Sequence, residues 1–323
     1  MKLDLASVIR GRLTFLIMTN AAVFVLLSFL SPYFLDFYSL LDMTRFGAVL
    51  GLLALGQTLV FVSGGGGIDL SVGSMLSLSG VFLGVLVVVA GVPVPLAVVA
   101  TLAFGLALGT LNGVLVALVG MPPFIATLST LYAYGSLALV WTDGAPIDGF
   151  PEGFGVLGQG TVASVPNQVL LVLLPAALVL GYVVSGTAFG RAIFFVGIND
   201  TAAYLSGISV TRTRIAVYAI SGLLAAAGAI ITTSWLMSAR PDAGSGAELQ
   251  AITVAVLGGA AITGGEGSLA GTLLAVLLVT MIAFGLDLAG VNATWQLGVL
   301  GLLLVVTTLL NQFVLARPSR GAA

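Results

Sequence analysis

Residues 44–91 read TRFGAVLGLLALGQTLVFVSGGGGIDLSVGSMLSLSGVFLGVLVVVAG, which is two apolar runs separated by four consecutive glycines. A helix needs about 20 mostly apolar residues to cross the hydrocarbon core of a bilayer, and each run is about that long. Arg45 and Asp69 are the only charged residues in this stretch. The pattern therefore predicts two membrane-spanning helices joined by a glycine-rich break.

The composition of the whole chain agrees with this stretch. Hydrophobic residues make up 59% of the 323 residues and charged residues 7%, against roughly 45–50% and about 25% in soluble domains. No polar stretch is long enough for a separate soluble domain, so residues 1–323 are predicted to form a single transmembrane domain. The expected fold class is an all-α membrane protein. Because the chain has no cysteine and no histidine, disulfides, thiol chemistry and imidazole catalysis are excluded.

Apolar runs between helix breakers predict about ten transmembrane helices. The first run is interpreted as a retained span rather than a signal peptide, because it is long for the apolar region of such a peptide and Ser31-Pro32-Tyr33 is a poor cleavage site. The predicted spans are residues 13–30, 44–63, 70–91, 94–119, 124–141, 167–185, 214–234, 249–264, 269–287 and 294–312.

The distribution of basic residues gives these spans an orientation. If the N-terminus lies inside, the loop at 186–213 and the C-terminal tail also lie inside, and only Arg45 and Arg240 of the 10 basic residues fall outside. Cytoplasmic loops carry an excess of Lys and Arg, so both termini are predicted to be cytoplasmic. The basic residues on the predicted inner side are Lys2, Arg10, Arg12, Arg191, Arg212, Arg214, Arg317 and Arg320.

Asp69 is the charged residue at the start of the second quoted run. Aspartate is a preferred N-cap and its charge suits the positive end of the helix dipole, so we predict that Asp69 caps this helix near the cytoplasmic interface. The alternative is a proton- or ion-binding carboxylate, since an ionisable residue inside a membrane is by default a functional candidate. The cap is favoured because no second ionisable group is placed to form a relay. Small residues follow at a spacing that allows another helix to approach closely; they are Ser71, Ser74, Ser77, Gly80 and Gly84.

Two glycine clusters interrupt apolar runs in different parts of the chain. Gly64 to Gly67 are the first, and Gly264-Gly265-Glu266-Gly267 are the second. They are compatible with duplicated halves that each contain a broken helix, as in many transporters. They are equally compatible with the general abundance of glycine in membrane helices.

The largest predicted inner loop, residues 190–214, reads GRAIFFVGINDTAAYLSGISVTRTR. Asn199 or Asp200 is placed to cap a short helix over residues 201–205, and Gly207 is placed to end it. With an exposed tyrosine and leucine, such a helix suits docking to a cytoplasmic partner. A helix lying on lipid headgroups, steered by the flanking arginines, is the other interpretation.

Several kinds of chemistry have no residues to support them. The chain contains no GxxxxGK[ST] phosphate-binding loop, no nucleophile paired with a base and no cluster of metal ligands, so no catalytic residue and no metal site are predicted. Any energy from ATP must therefore enter through another subunit. The predicted outer segments at 143–166 and 240–244 are either plain connections or a docking surface for an external partner.

Four segments together resemble one family. They are Gly67–Ser74 (GIDLSVGS), Pro123–Leu128 (PFIATL), Gly190–Ile208, and Ala243–Ser268 with its paired glycines. In this order they are similar to the membrane permease subunits of bacterial carbohydrate ABC importers of the ribose, xylose and galactose class. In the first segment, Gly67, Asp69, Ser71 and Gly73 form a structural motif. The resemblance extends over residues 56–310.

The resemblance implies a multi-pass permease of the bacterial inner membrane. Two permeases, either two copies of this chain or this chain with a paralogue, would form the pore, and a periplasmic sugar-binding protein would dock above it. Two ATPase subunits beneath would bind ATP and Mg, so this chain itself would bind no cofactor, and no nucleic acid is implied. The helix that couples to the ATPase would contain Asn199, Asp200, Ala202, Ala203, Leu205, Ser206 and Gly207, which favours docking for the inner loop.

The sequence also departs from the family pattern. Four glycines stand where the family usually has two, which could shift the break between the second and third spans. Gln250 occupies a place often held by Asp, and Glu266 one often held by Arg. An ATPase contact at Glu266 is therefore not expected.

The leading hypothesis is a pore-forming permease for a sugar or related polyol. Neutral sugars need hydrogen-bond partners and aromatic faces more than charges along their path. The polar residues predicted to line it are Gln57, Asn112, Thr127, Thr130, Tyr132 and Tyr134. Each could instead bond helix to helix, at about 0.6 kcal/mol on average. An ion-coupled secondary transporter of a small polar solute is the alternative; it predicts paired intramembrane charges, for which Asp69 is the only candidate. An intramembrane enzyme or a structural bundle has less support still.

Overall fold

The structure is a computed structural model that describes residues 5–30 and 33–292 together with residues 295, 298, 299, 301, 302 and 305. In this part of the chain, 8 helices are long and apolar enough to cross a membrane. The prediction of an all-α membrane protein is confirmed. The helices are α1 (Leu5–Leu30), α2 (Phe37–Val62), α3 (Val72–Gly84), α4 (Val94–Ala117), α5 (Pro123–Thr142), α6 (Val156–Gln159), α7 (Leu174–Gly186), α8 (Ala188–Ile198), α9 (Asp200–Leu205), α10 (Val210–Leu236), α11 (Ala247–Leu257) and α12 (Leu269–Leu288).

Helix breakers and capping residues set many of these boundaries. Asp36 caps α2 by accepting hydrogen bonds from the backbone N–H groups of Tyr38 and Ser39. Pro93 and Pro122 precede α4 and α5, in the region where a missing N–H costs nothing. Two π-helical segments extend spans: Val85–Val89 continues α3, and Val169–Leu173 leads into α7.

Among the described residues, four two-residue strands lie between the helices. β1 (Ile147–Asp148) pairs antiparallel with β4 (Ser238–Ala239), and β2 (Thr161–Val162) pairs antiparallel with β3 (Val165–Pro166). The β1–β4 pair joins two loops, residues 142–166 and 235–248, that the charge distribution predicts on the same outer side. Their contact is therefore consistent with the predicted orientation.

The longest described helix, α10, packs on α4 without intervening side chains. A Cβ atom on Gly105 or Gly109 of α4 would collide with backbone or side-chain atoms of α10, and one on Gly113 would lie 2.7 Å from the Cα of Ile215. These glycines recur every four residues, the pattern that lets two membrane helices approach closely. Gly222 completes the contact from the α10 side, where its own Cβ would meet the α4 backbone.

Two of the predicted spans need separate comment. The span predicted at 249–264 is α11 in the structure, and this helix ends at Leu257 after only 11 residues, or about 16 Å at 1.5 Å per residue. Gly259, with a φ of 94°, ends it in a conformation that favours glycine. The prediction of a full crossing there is wrong. Most of the span predicted at 294–312 lies outside the described residues.

Candidate functional site

Asp69 lies fully buried in the break between α2 and α3. Its Oδ1 accepts hydrogen bonds from the backbone N–H and the hydroxyl of Ser71, at 3.0 and 2.7 Å, and its Oδ2 accepts one from the hydroxyl of Ser221 at 3.0 Å. The residue at the N-cap position of α3 is Ser71. The predicted cap by Asp69 is therefore wrong: this carboxylate closes the turn before the helix and ties that turn to α10.

Side chains of α4, α5 and α10 hold the same turn. The amide of Asn112 on α4 donates to the hydroxyl of Ser71 at 2.7 Å, and the hydroxyl of Thr127 on α5 donates to the carbonyl of Ile68 at 3.2 Å. The hydroxyl of Tyr218 on α10 donates to the same carbonyl at 3.2 Å. The break is thus held by a buried hydrogen-bond network, in keeping with the cost of leaving backbone polar groups unpaired in a membrane.

The six residues predicted to line a pathway fall into different environments. Thr130 and Tyr134 are buried and donate to backbone carbonyls of Thr127 and Leu108, while Asn112 and Thr127 belong to the network at the break. Gln57 is fully buried, and neither end of its amide has a hydrogen-bond partner in the described part of the chain. Tyr132, 67% exposed, faces an open cleft. The structure therefore does not bring the six together in one channel.

The predicted short helix in the inner loop is confirmed as α9. The side chain of Asn199 accepts a hydrogen bond from the backbone N–H of Ala202 at 2.9 Å, which caps the helix. Gly207, with a φ of 82°, ends it by donating its N–H to the carbonyl of Tyr204. Ser206 donates its hydroxyl back to the carbonyl of Ala202.

The two sides of α9 differ in what they contact. Ala203 is buried toward the rest of the loop, whereas Tyr204 and Leu205 are 72% and 79% exposed. Asp200 forms two hydrogen bonds with the guanidinium of Arg214, at 2.7 and 2.8 Å, which fixes α9 to the start of α10. The result is a firmly held helix with an apolar tip.

The two glycine clusters meet at the base of this loop. Gly197, near the end of α8, lies between Gly64 and Gly265, and a Cβ on Gly197 would collide with the carbonyl oxygen of Val62. The N–H of Gly265 donates to that carbonyl at 3.0 Å. We call Gly64, Gly197, Gly264 and Gly265 the glycine junction. Through it, backbone atoms of the inner loop contact the break after α2 and the turn after α11.

An open cleft of about 310 Å³ lies between α3, α5 and the segment after β4. Polar side chains line much of it: Ser74, Ser77, Tyr132, Ser136, Asp242, Ser245 and Glu248. Asp242 is paired with Arg240 through two hydrogen bonds of 3.1 Å. Ser74 and Ser77 were predicted only as small residues, and Ser136 and Glu248 were not predicted as site residues. The position of Glu248 at the edge of an apolar run was a signal for it.

Within the described residues, 8 helices long and apolar enough to cross a membrane, breaks between apolar helices and a short exposed helix on one loop fit a multi-pass membrane permease. The chain belongs to the family described as branched-chain amino acid transport system / permease component, whose family model matches residues 39–308. It is a transport subunit and a protein of the inner membrane.

Named relatives narrow this further. The chain is 40% identical over 290 residues to the ribose import permease protein RbsC of Bacillus subtilis (strain 168), covering 89% of each chain. It is 37% identical over 292 residues to RbsC of Escherichia coli (strain K12), covering 88% of this chain and 89% of that one. It is 38% identical over 283 residues to the autoinducer 2 import system permease protein LsrD of Escherichia coli O9:H4 (strain HS), covering 86% of this chain and 84% of that one. No solved structure matches the chain at comparable significance. The resemblance drawn from the sequence motifs is confirmed.

Proposed function

We propose that this chain is the pore-forming permease subunit of an ATP-driven importer for a sugar or related polyol. The observation that carries the proposal is the 40% identity, over 89% of both chains, to a ribose import permease. The solute would be delivered by a periplasmic binding protein and would cross between two permeases, either two copies of this chain or this chain and a paralogue. ATP and Mg would bind to a separate ATPase subunit.

The exposed tip of α9 supports coupling to that ATPase. Tyr204 and Leu205 present apolar surface on a helix whose other side is fixed by the buried Ala203 and by the Asp200–Arg214 ion pair. A preorganised helix loses little conformational entropy when it binds, so its exposed side chains contribute most of their burial energy to an interface. The glycine junction connects the same loop to the breaks near α3 and α11. Closure of the ATPases would thus move the loop and, through it, the helices around the pore.

The ion-coupled alternative has little support from the geometry at Asp69. Both carboxylate oxygens already accept hydrogen bonds from Ser71 and Ser221. In the described part of the chain, the ion pairs are Asp42–Arg45, Asp200–Arg214 and Arg240–Asp242, and none of them includes Asp69. The arrangement suits a structural role for this carboxylate better than repeated binding and release of an ion.

Reconstitution tests the proposal directly. The permease would be inserted into proteoliposomes with its ATPase and binding protein, and uptake of labelled ribose, xylose and galactose would be measured with ATP on the ATPase side. Uptake of at least one sugar should depend on ATP and on the binding protein. An ATPase variant that binds but cannot hydrolyse ATP serves as the control. Uptake that persisted with this variant would contradict the proposal.

A further inference from the structure

The segment after β4 runs into the membrane along α3. Near the outer end of α3, the Cβ of Ala239 lies 2.7 Å from where a Cβ of Gly84 would be. Further along, the N–H of Gly244 donates to the hydroxyl of Ser77 at 2.9 Å, and the carbonyl of Gly244 touches Gly73. From Gly84 back to Gly73, α3 spans about 16 Å at 1.5 Å per residue. The segment therefore descends about half of a hydrocarbon core that is about 30 Å thick.

This descent explains why α11 is short. The helix begins at Ala247, just after the segment reaches its deepest contact with α3, and so its N-terminus lies near mid-membrane. Non-helical backbone at that depth is tolerated only where it is buried in protein or lines a water-filled cavity. The segment meets this condition at the cleft, where Pro241, Asp242, Gly244, Ser245 and Gly246 form one wall.

The side chains in the cleft match a neutral solute with many hydroxyls. Glu248, half-buried in the first turn of α11, reaches the cleft beside Gly73, where a Cβ would collide with its carboxylate. Ser74 donates its own hydroxyl to the carbonyl of Ser71 at 3.0 Å, which leaves its oxygen free to accept. Tyr132 offers an aromatic face. A volume of about 310 Å³ falls at the lower end of the range of about 300–1,000 Å³ for small-molecule sites.

We infer that the solute passes along the cleft between α3, α5 and residues 241–248, which forms this subunit's side of the path between the two permeases, with Glu248, Ser74, Ser136 and Tyr132 as its contacts. The inference rests on the proposed function and names the path that the proposal leaves open. Half-helix N-termini at the midplane are a recurring way to build transport sites. Of the six residues predicted from the sequence, this path keeps Tyr132 and assigns the buried ones to packing.

Filling the cleft tests the inference. A Cβ on Gly135 of α5 would meet only the Cβ of Ser74, at 3.8 Å, so Gly135→Leu adds bulk to the cleft without a backbone collision. Gly181→Leu on α7 is the matched control, because no described atom lies within 4 Å of its Cβ position. In the reconstituted importer, Gly135→Leu should lose most sugar uptake while Gly181→Leu keeps it. Both should keep ATP hydrolysis by the assembled complex.

Single cysteines give an independent test, because the chain has none of its own. The purified Ser136→Cys permease would be labelled with a methanethiosulfonate reagent, assembled with its partners and assayed for uptake of the sugar that the unmodified importer transports. Ser185→Cys, exposed on α7, is the control. Labelling of Ser136→Cys, verified by mass, should block uptake, and labelling of Ser185→Cys should not.

The results separate the two ideas. If the unmodified importer shows no ATP-dependent uptake of any of the three sugars, the proposed function fails and the inferred sugar path fails with it. If the unmodified importer transports sugar, and both Gly135→Leu and labelled Ser136→Cys transport it equally well, the proposed function stands and the inferred path is overturned.

Discussion

Replacing Leu205 by alanine would remove most of the apolar side chain from the tip of α9. Full burial of a leucine contributes about 1.5–3 kcal/mol, and 79% of this residue is exposed and available to a partner. The loss on truncation should therefore be about 1–2 kcal/mol, or about 5- to 30-fold in the dissociation constant of the permease and its ATPase. The ATPase would be titrated onto permease held in lipid nanodiscs, without nucleotide, and the dissociation constant measured from the binding curve.

Leu178→Ala provides the matched control for this measurement. Leu178 lies on α7, within a run long and apolar enough to span the membrane, and presents the same side chain with 65% exposure but outside the inner loop. Its replacement should leave the dissociation constant unchanged. If Leu205→Ala bound the ATPase as tightly as the unmodified permease, docking through the tip of α9 would be refuted, and the headgroup interpretation of this helix would be preferred.

Three further variants address the buried parts of the protein. Asp69→Ala leaves the hydroxyls of Ser71 and Ser221 without their acceptor. Each hydrogen bond to a charged group contributes about 1.5–3 kcal/mol, so Asp69→Ala should lower the thermal unfolding temperature in detergent more than Asp69→Asn does. Gly109→Ala places a methyl group against the carbonyl of Tyr218 and should destabilise the protein by about 1–3 kcal/mol, the usual cost of overpacking, measured by the same unfolding assay. Gly197→Ala should reduce ATP-driven sugar uptake, because the added methyl group pushes apart the backbones that meet at the glycine junction. The tip of α9 should still bind the ATPase, because the docking surface is unchanged.

A glycine with free space around it controls for these changes. Gly181→Ala adds the same methyl group to a helix where no described atom lies within 4 Å, so its unfolding temperature and uptake should match those of the unmodified protein. Gly109→Ala unfolding at the temperature of Gly181→Ala would contradict the close contact of α4 and α10. Full uptake by Gly197→Ala would contradict a coupling role for the glycine junction.

The parts of the fold that depend on local signals follow from the sequence. The runs on either side of Gly64–Gly67 became α2 and α3, because length and hydropathy suffice to define a crossing. The cap at Asn199 and the stop at Gly207 were also predicted, since each acts on backbone groups within three residues of itself.

The predictions from the sequence are wrong where residues distant in the chain determine the local structure. Asp69 has the chemistry of an N-cap, but Ser221, which lies 152 positions away, draws one of its oxygens toward α10. The apolar run at 249–264 has the hydropathy of a span, yet its helix starts deep in the protein because residues 240–246 descend along α3. Polar side chains in apolar helices, such as Asn112 and Ser136, look alike in sequence, and only the neighbouring helices determine which of them bonds within the protein and which faces a cleft.

The glycine junction limits how this protein can change. When two side chains clash in an ordinary core, a smaller residue opposite the new one can restore the fit. At Gly64, Gly197 and Gly264 the facing groups are already backbone, and no smaller residue exists to take their place. A genetic selection that starts from Gly197→Ala should therefore recover true reversion to glycine and no suppressor among the facing positions.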